Sequence, residues 1–175
     1  LDYAVLDCES VVLKEQALLR VLRARARPAI VYAPTRLAVE RVARRLTRSG
    51  IRTLAYHGGL QDSVRHEVQE TFMSGGVGVI AATNAFGMGI DKPDVRTVVH
   101  FAMPGTLEAY YQEAGRGGRD GAPAGCVLLY HPTDRLTHEW FVRGTFPPRD
   151  IVAATAAALD ALRSGDAVPD DPARI

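Results

Sequence analysis

Lysine is nearly missing from this chain of 175 residues: Lys14 and Lys92 are the whole complement, and arginine supplies the other basic side chains. Genome composition can produce such a bias, so no function is drawn from it. Cysteine is just as scarce. Cys8 and Cys126 stand far apart in sequence, which excludes a disulfide framework and a zinc knuckle. Apolar runs are short, none reaching the roughly 18 residues that cross a bilayer, and the start does not resemble a signal peptide. The expected setting is a reduced cytoplasm, with no membrane partner. A dominant charge sign is missing too: 21 basic against 20 acidic side chains leave +1, too little for a protein that holds nucleic acid by bulk charge. There is no internal repeat and no low-complexity tract. The length suits one α/β domain with a short extension.

What is present is unevenly spread. Arg20 to Arg52 holds ten arginines and one acid, Glu40, whereas Gly144 to Ile175 holds three arginines and five aspartates. The basic stretch fits a phosphate backbone, an acidic partner, or the wet faces of two amphipathic helices. Short β-rich runs alternate with helical spacing. Strands are expected at Ala29–Tyr32, Thr53–Tyr56, Val77–Ala82, Thr97–Phe101 and Gly125–Tyr130, with a leading strand near Tyr3–Leu6. Helices are expected from about Lys14, over Leu37–Ser49 and over Gln61–Phe72; the second has apolar residues at 37, 38, 42, 43 and 46 and stops at Gly50. The strands are continuous apolar runs, as when both faces of a parallel sheet are covered. This rhythm predicts an α/β open sheet wound by right-handed crossovers. It ceases after Pro132. Phe146-Pro147-Pro148 reads as a turn, Ile151–Leu162 as an alanine-rich helix, and Val168–Ile175 as a frayed tail or linker. The expected division is a domain over residues 1–135 and a helical extension over 136–175.

Ligands of open α/β sheets sit beyond the carboxyl ends of the strands. There the chain places Ala33-Pro34-Thr35-Arg36, His57-Gly58-Gly59, and the run from Thr83-Asn84 through Gly87, Gly89 and Asp91. A threonine at a helix start can offer its hydroxyl and N–H to phosphate, glycines admit close backbone approach, and Asp91 can accept from a ribose hydroxyl. Taken singly, each reads as a turn rather than a ligand site, and His57 as a packed or capping histidine. The most informative run is Tyr110–Gly121, which sets Arg116 and Arg119 three apart among four glycines, with Gln112 four before Arg116. A planar guanidinium grips phosphate with two parallel hydrogen bonds, and glycines clear its approach. A solvated surface loop is the alternative for such a run in isolation.

Together these segments resemble a known series. Ala29–Arg36 resembles helicase motif IV, Tyr56–Leu60 the element that follows it, Ile80–Val95 motif V, and Gln112–Gly121 motif VI. Ala-Thr-x-Ala-Phe-Gly-Met-Gly-Ile-Asp-Lys-Pro-Asp-Val and Gln-Glu-x-Gly-Arg-x-Gly-Arg-Asp-Gly are similar to the RecQ family of superfamily 2 DNA helicases. DEAD-box RNA helicases would carry His-Arg-x-Gly-Arg at the latter site. The resemblance implies a three-layer, RecA-like open parallel sheet with helices on both faces, serving as the second motor lobe. It implies that Arg119 is the finger on the γ-phosphate, that Arg116 contacts the phosphates beside it, and that Gln112 couples nucleotide and DNA sites. Gly89 and Asp91 would touch ATP. Thr35, Arg36, His57, Gly58, Thr83 and Asn84 would line the single-strand track.

The departures are absences. The chain has no Gly-x-x-x-x-Gly-Lys-Thr loop and no Asp-Glu-x-His, which in such motors cradle phosphates, hold Mg²⁺ and orient water. ATP and Mg²⁺ are thus expected at a site completed by a first RecA-like lobe, and the chain alone is expected to hydrolyse no ATP. No cysteine follows Cys126, so no zinc is expected here. DNA, as single strand and duplex junction, is the expected partner, and the family implies 3′ to 5′ movement. Two alternatives stand: another superfamily 2 motor acting on RNA, and a non-catalytic binding domain that kept the fold.

Overall fold

The computed structural model describes residues 1–86, 91–136, 139 and 148–164. Six strands form one sheet: β1 (Asp2–Asp7), β2 (Ala29–Tyr32), β3 (Thr53–Tyr56), β4 (Val79–Ala82), β5 (Thr97–His100) and β6 (Gly125–Tyr130). The order across it is β1-β6-β5-β2-β4-β3, with every neighbouring pair parallel. Helices α1 (Val11–Ala24), α2 (Arg36–Arg48), α3 (Asp62–Met73) and α4 (Leu107–Ala114) fill the connections. The expected strands and helices are present to within a few residues at their ends. The difference is α4: the run from Tyr110, read from its glycines and arginines as an exposed phosphate grip, begins inside a helix.

Helix starts follow from side-chain chemistry. The hydroxyls of Ser10, Thr35 and Thr106 each accept the amide three residues on, from Leu13 at 3.2 Å, Ala38 at 3.1 Å and Ala109 at 3.1 Å. Such caps are worth about 1 kcal/mol each. Helix α2 gives way at Gly50, whose φ of +81° is one that L side chains rarely adopt.

Two cores explain the continuous apolar strands. Ala29, Val31, Val79, Ala81, Val99, Val127 and Leu129 point to one face, where Leu18, Leu22, Val39, Val42 and Leu46 of α1 and α2 cover them. Ile30, Tyr32, Ile80, Ala82, Val98 and Cys126 point to the other, against Val68 and Phe72 of α3 and Ala114 of α4. Consecutive residues of one strand therefore enter opposite layers, and alternation by polarity disappears.

Both lysines lie inside. Lys14 bonds Asp134 at 2.6 and 2.7 Å, and Lys92 lies 3.0 Å from Asp94 and donates to the Met73 carbonyl at 3.1 Å.

The chain divides into two compact units, Leu1–Asp134 and Arg135–Ile175. In the second, helix α5 (Arg149–Ser164) extends the expected 151–162 helix by a few residues at each end. The expected turn at 146–148 falls largely outside the described residues, and the expected tail at 168–175 falls wholly outside them. No described helix is long and apolar enough to cross a membrane.

Candidate functional site

The sheet order decides which loops meet. Tyr32 ends β2 in register with Ala82 of β4 on one side and His100 of β5 on the other. Having built β3 and β4 to one side of β2, the chain crosses to the other side for β5. That switch opens a crevice at the carboxyl edge, where open α/β sheets bind ligands. The segments after β2, β3 and β4 stand at that edge, whereas the loop after α4 leads into the start of β6 and is held beside the residues that precede β5.

The loop after α4 is pinned rather than free. The Gly118 amide donates to the Val95 carbonyl at 2.8 Å, and the Asp120 amide to the Pro93 carbonyl at 3.2 Å. Asp120 takes both terminal nitrogens of Arg96 and accepts the Ala122 amide at 3.0 Å. Gly118 has φ +65°, and a Cβ there would lie 2.6 Å from the Ala122 carbonyl oxygen, so the tight return needs glycine.

Within this frame Arg119 donates Nη1 to Asp91 at 2.6 Å and Nε to the Gly115 carbonyl at 3.2 Å. Its side chain keeps 38% exposure, and that of Asp91 77%. Exposed pairs of this kind contribute about 0–1 kcal/mol, so Arg119 can exchange Asp91 for a competing anion at little cost. Arg116 stands near Tyr32. Burial pushes the Tyr32 phenol well above the usual tyrosine range, and the Arg116 guanidinium opposes that rise in part. Gln112 is exposed on α4, one turn before Arg116. Gly89 lies outside the described residues.

The expected strand contacts divide into two kinds. Arg36, Gly58 and Asn84 are exposed, and Thr35 is half-buried while capping α2. Arg36 lies across Gly59 so closely that a Cβ there would come 2.9 Å from its Nη1. His57 and Thr83 instead face inward. His57 is buried, with Nδ1 accepting the Gly59 amide at 3.2 Å and Nε2 3.4 Å from Glu40. Thr83 is buried too, its amide on the Tyr56 carbonyl and its hydroxyl 3.4 Å from the Ala85 amide. For these two the side chains brace turns, and what they present outward is the backbone they hold.

The basic stretch is largely committed internally. Arg41 and Arg45 reach Glu15 of α1, Arg44 reaches Glu40, and Arg23, Arg27 and Arg52 donate to carbonyls. The reading as helix faces suits it better than a free phosphate stripe. Among the described residues no group of three or more His, Cys, Asp or Glu converges.

Sequence reasoning passed over the fully buried His100, whose Nε2 lies 3.0 Å from Glu113 Oε2, and the Arg96–Asp120 pair. Only the second had a signal, an aspartate directly after Arg119. The pairing holds the Asp120 carboxyl below the usual carboxylate range, through the Arg96 hydrogen bonds first and then the Ala122 amide. A carboxyl depressed by folding stabilises the fold above its unfolded pKa of about 3.9 and loses that contribution as pH falls through the lower folded value. The melting-temperature gap between wild type and Asp120→Asn should thus stay level from neutral pH to about pH 4 and shrink below it. A gap that persists unchanged at pH 3 would contradict the assignment.

Comparison with known proteins places this arrangement. A family model for the helicase conserved C-terminal domain matches residues 13–121. The chain is 49% identical over 113 residues to ATP-dependent DNA helicase RecQ of Bacillus subtilis (strain 168), covering 65% of this chain and 19% of that protein. It is also 49% identical over 107 residues to RecQ-like DNA helicase blm-1 of Caenorhabditis elegans, covering 61% of this chain and 11% of that protein. The chain thus spans about a fifth or less of these relatives' length. Among solved structures it is similar to the E. coli DEAD-box protein SrmB bound to regulator of ribonuclease activity A, with TM-score 0.71 and 28% identity over 77% of this chain and 79% of that one. The RecA-like sheet and the motif spacing agree with these matches, and the chain, similar to RecQ proteins, belongs to the helicase conserved C-terminal domain family.

Proposed function

We propose that this chain is the second motor lobe of an ATP-dependent DNA helicase, supplying the arginine finger and part of the single-strand track. The observation that carries the reading is the meeting of Arg119 and Asp91 at 2.6 Å, 28 residues apart in sequence, on a loop pinned by Gly118 and Asp120. Two groups suited to a nucleotide, a phosphate fork and a ribose acceptor, meet in one place and are held by a bond weak enough to yield. When ATP enters from a first lobe, Arg119 turns from Asp91 to the γ-phosphate and Asp91 is released to the sugar. Arg116 stabilises the neighbouring phosphates, and the cleft closes. Hydrolysis removes the γ-phosphate that Arg119 grips, the cleft opens, and the lobe advances along the strand in the 3′ to 5′ sense. Stand-alone turnover is not expected, because the phosphate loop and magnesium carboxylates belong to the other lobe. A cytoplasmic or nucleoid setting suits such an enzyme.

The test is ATP hydrolysis by the complete protein with DNA or RNA added. DNA should stimulate turnover and RNA should not. Stimulation by RNA alone would favour the RNA motor, the alternative raised by the likeness to SrmB. Gln112-Glu113, where DEAD-box proteins would carry His-Arg, and identities of 46–49% to RecQ proteins support DNA. A binding domain without catalysis predicts no nucleotide-dependent turnover in either arm.

Arg36, Gly58 and Asn84 line a polar surface suited to phosphates rather than base edges, so affinity for single strands should fall steeply with salt and vary little with sequence. Arg36→Ala should lower the slope of log affinity against log salt by about 0.7, the value for one lost phosphate contact. An unchanged slope would remove Arg36 from the track.

A further inference from the structure

Strand β3 is an edge of the sheet and pairs with β4 alone. Alternate residues of a strand turn their backbone groups to opposite sides. The Tyr56 carbonyl accepts the Thr83 amide at 3.2 Å, so Leu54 and Tyr56 serve β4, while Thr53 and Ala55 face away from the sheet. At Thr53 that outward edge is closed. Its amide donates to the Thr47 hydroxyl at 3.3 Å, and the same hydroxyl donates to the Thr53 carbonyl at 3.4 Å. Two residues on, at Ala55, α2 presents Ala43 and Arg44 instead of a threonine. Alanine has nothing to donate or accept, and Arg44 turns to Glu40 at 3.4 Å. The amide and carbonyl of the half-buried Ala55 therefore point out of the sheet, and among the described residues nothing closes them.

An open groove of about 430 Å³ lies at this position, between Ala43, Arg44, Thr47 and Arg48 of α2 and Leu54 and Ala55 of β3. Arg44 and Arg48 are exposed one helical turn apart. Glu40, a further turn back, also lines the groove and holds Arg44. Arg48 has no ion-pair partner among the described residues, so the groove carries a positive charge that nothing offsets. Three features thus coincide: an open amide and carbonyl on a strand edge, an apolar lining from Ala43, Leu54 and Ala55, and the charge of Arg48. An extended polypeptide that carries a carboxylate complements all three. Nucleic acid complements only the last, since it has no peptide group to exchange with Ala55 and Glu40 repels its phosphates.

We propose that the groove between α2 and the β3 edge is a docking site for an extended, acidic segment of a partner protein. The segment adds to β3 through the Ala55 amide and carbonyl and sets a carboxylate against Arg48. Neither residue is among those proposed above for nucleotide or strand.

The probe is a labelled peptide, acetyl-Asp-Glu-Val-Thr-Val-Asp-Glu-amide, added to the complete protein and followed by fluorescence anisotropy. It should bind saturably and slow hydrogen exchange at the Ala55 amide, leaving that of Thr53 unchanged. Methylating the central amide nitrogens of the peptide removes main-chain donors at constant charge, and affinity should fall about fivefold, the worth of one main-chain hydrogen bond. Arg48→Glu should weaken binding by about fivefold, as an attraction becomes a repulsion, with melting temperature and DNA-stimulated ATP turnover little changed. Absence of saturable binding up to about 1 mM overturns the proposal, and so does insensitivity to either change. An Ala55 amide already protected before peptide is added overturns it as well, because another part of the same polypeptide then fills the groove. If Arg48→Glu lowers affinity for single-stranded oligothymidine as much as for the peptide, the groove is a nucleic-acid surface and the proposal fails.

Discussion

Arg119→Ala in the complete enzyme should lower kcat by about 10³-fold or more while leaving ATP affinity much less affected. The guanidinium is already oriented, Nε on the Gly115 carbonyl and Nη1 on Asp91, and the loop beneath it is fixed by Gly118 and Asp120. Preorganised charge matters most where charge develops, on the phosphoryl group in transit. Arg119→Lys should rescue poorly, since an ammonium on a flexible stem reproduces neither the fork nor the bond to Gly115. Folding should barely change, because an exposed pair contributes about 0–1 kcal/mol. DNA affinity without nucleotide should be nearly unchanged. Asp91→Asn separates the finger from its resting partner: it should weaken nucleotide binding without the collapse in kcat. A well-folded Arg119→Ala enzyme with near-normal kcat would sink the motor-lobe reading at its centre.

Asp134→Ala should cost about 3–5 kcal/mol of stability, the usual penalty for leaving one partner of a buried ion pair uncompensated. Lys14 is 3% exposed, 2.6 Å from Asp134, and 5.3 Å from the Phe101 ring centroid. Asp134 also accepts the amides of Met103 at 3.2 Å and His131 at 3.3 Å, so one carboxylate ties α1 to the loops after β5 and β6. Melting temperature should fall by roughly 10–20 °C, and urea unfolding should report the same loss. Replacing both partners, Lys14→Met with Asp134→Leu, should recover part of it, because the stranded charge disappears while two amides still lack their acceptor. A loss below about 1 kcal/mol for Asp134→Ala would show that water reaches the ammonium.

Much of the scaffold was legible before any coordinates. The strands at 29–32, 53–56 and 125–130 announce themselves as apolar runs bounded by proline, glycine or charge, and α2 by its spacing and by Gly50. Helix α4 was hidden because its second half shares residues with the arginine and glycine run, and that chemistry drew the reading away from Thr106, an ordinary N-cap. The site was legible as a set of residue types but not as a geometry. Arg116, Arg119 and Asp91 were named from pattern, and Arg119 and Asp91 meet at 2.6 Å. His57 and Thr83 were named with them, yet their side chains turn inward, because a polar residue at a strand end can cap a turn as well as meet a ligand. Tyr32 and His100 were read only as strand residues and Glu113 only as part of a motif, and it is the fold that brings them together.

The alternation of strand and helix, the burial of both sheet faces and the family follow from the order of residues alone, and Arg116 and Arg119 are the arginines it proposes for phosphate. Each of these is local: it depends on the period of apolar residues, on caps and glycines, or on a short motif. The tertiary structure alone decided that β5 and β4 flank β2, that Asp91 finds Arg119 and Asp120 finds Arg96, and that both lysines lie inside. Those outcomes depend on which strand ends stand side by side in the order β1-β6-β5-β2-β4-β3, and that order follows from packing two cores at once. Spacing along a chain does not encode it, because residues that meet across a sheet are joined by connections whose length leaves the choice of neighbour open.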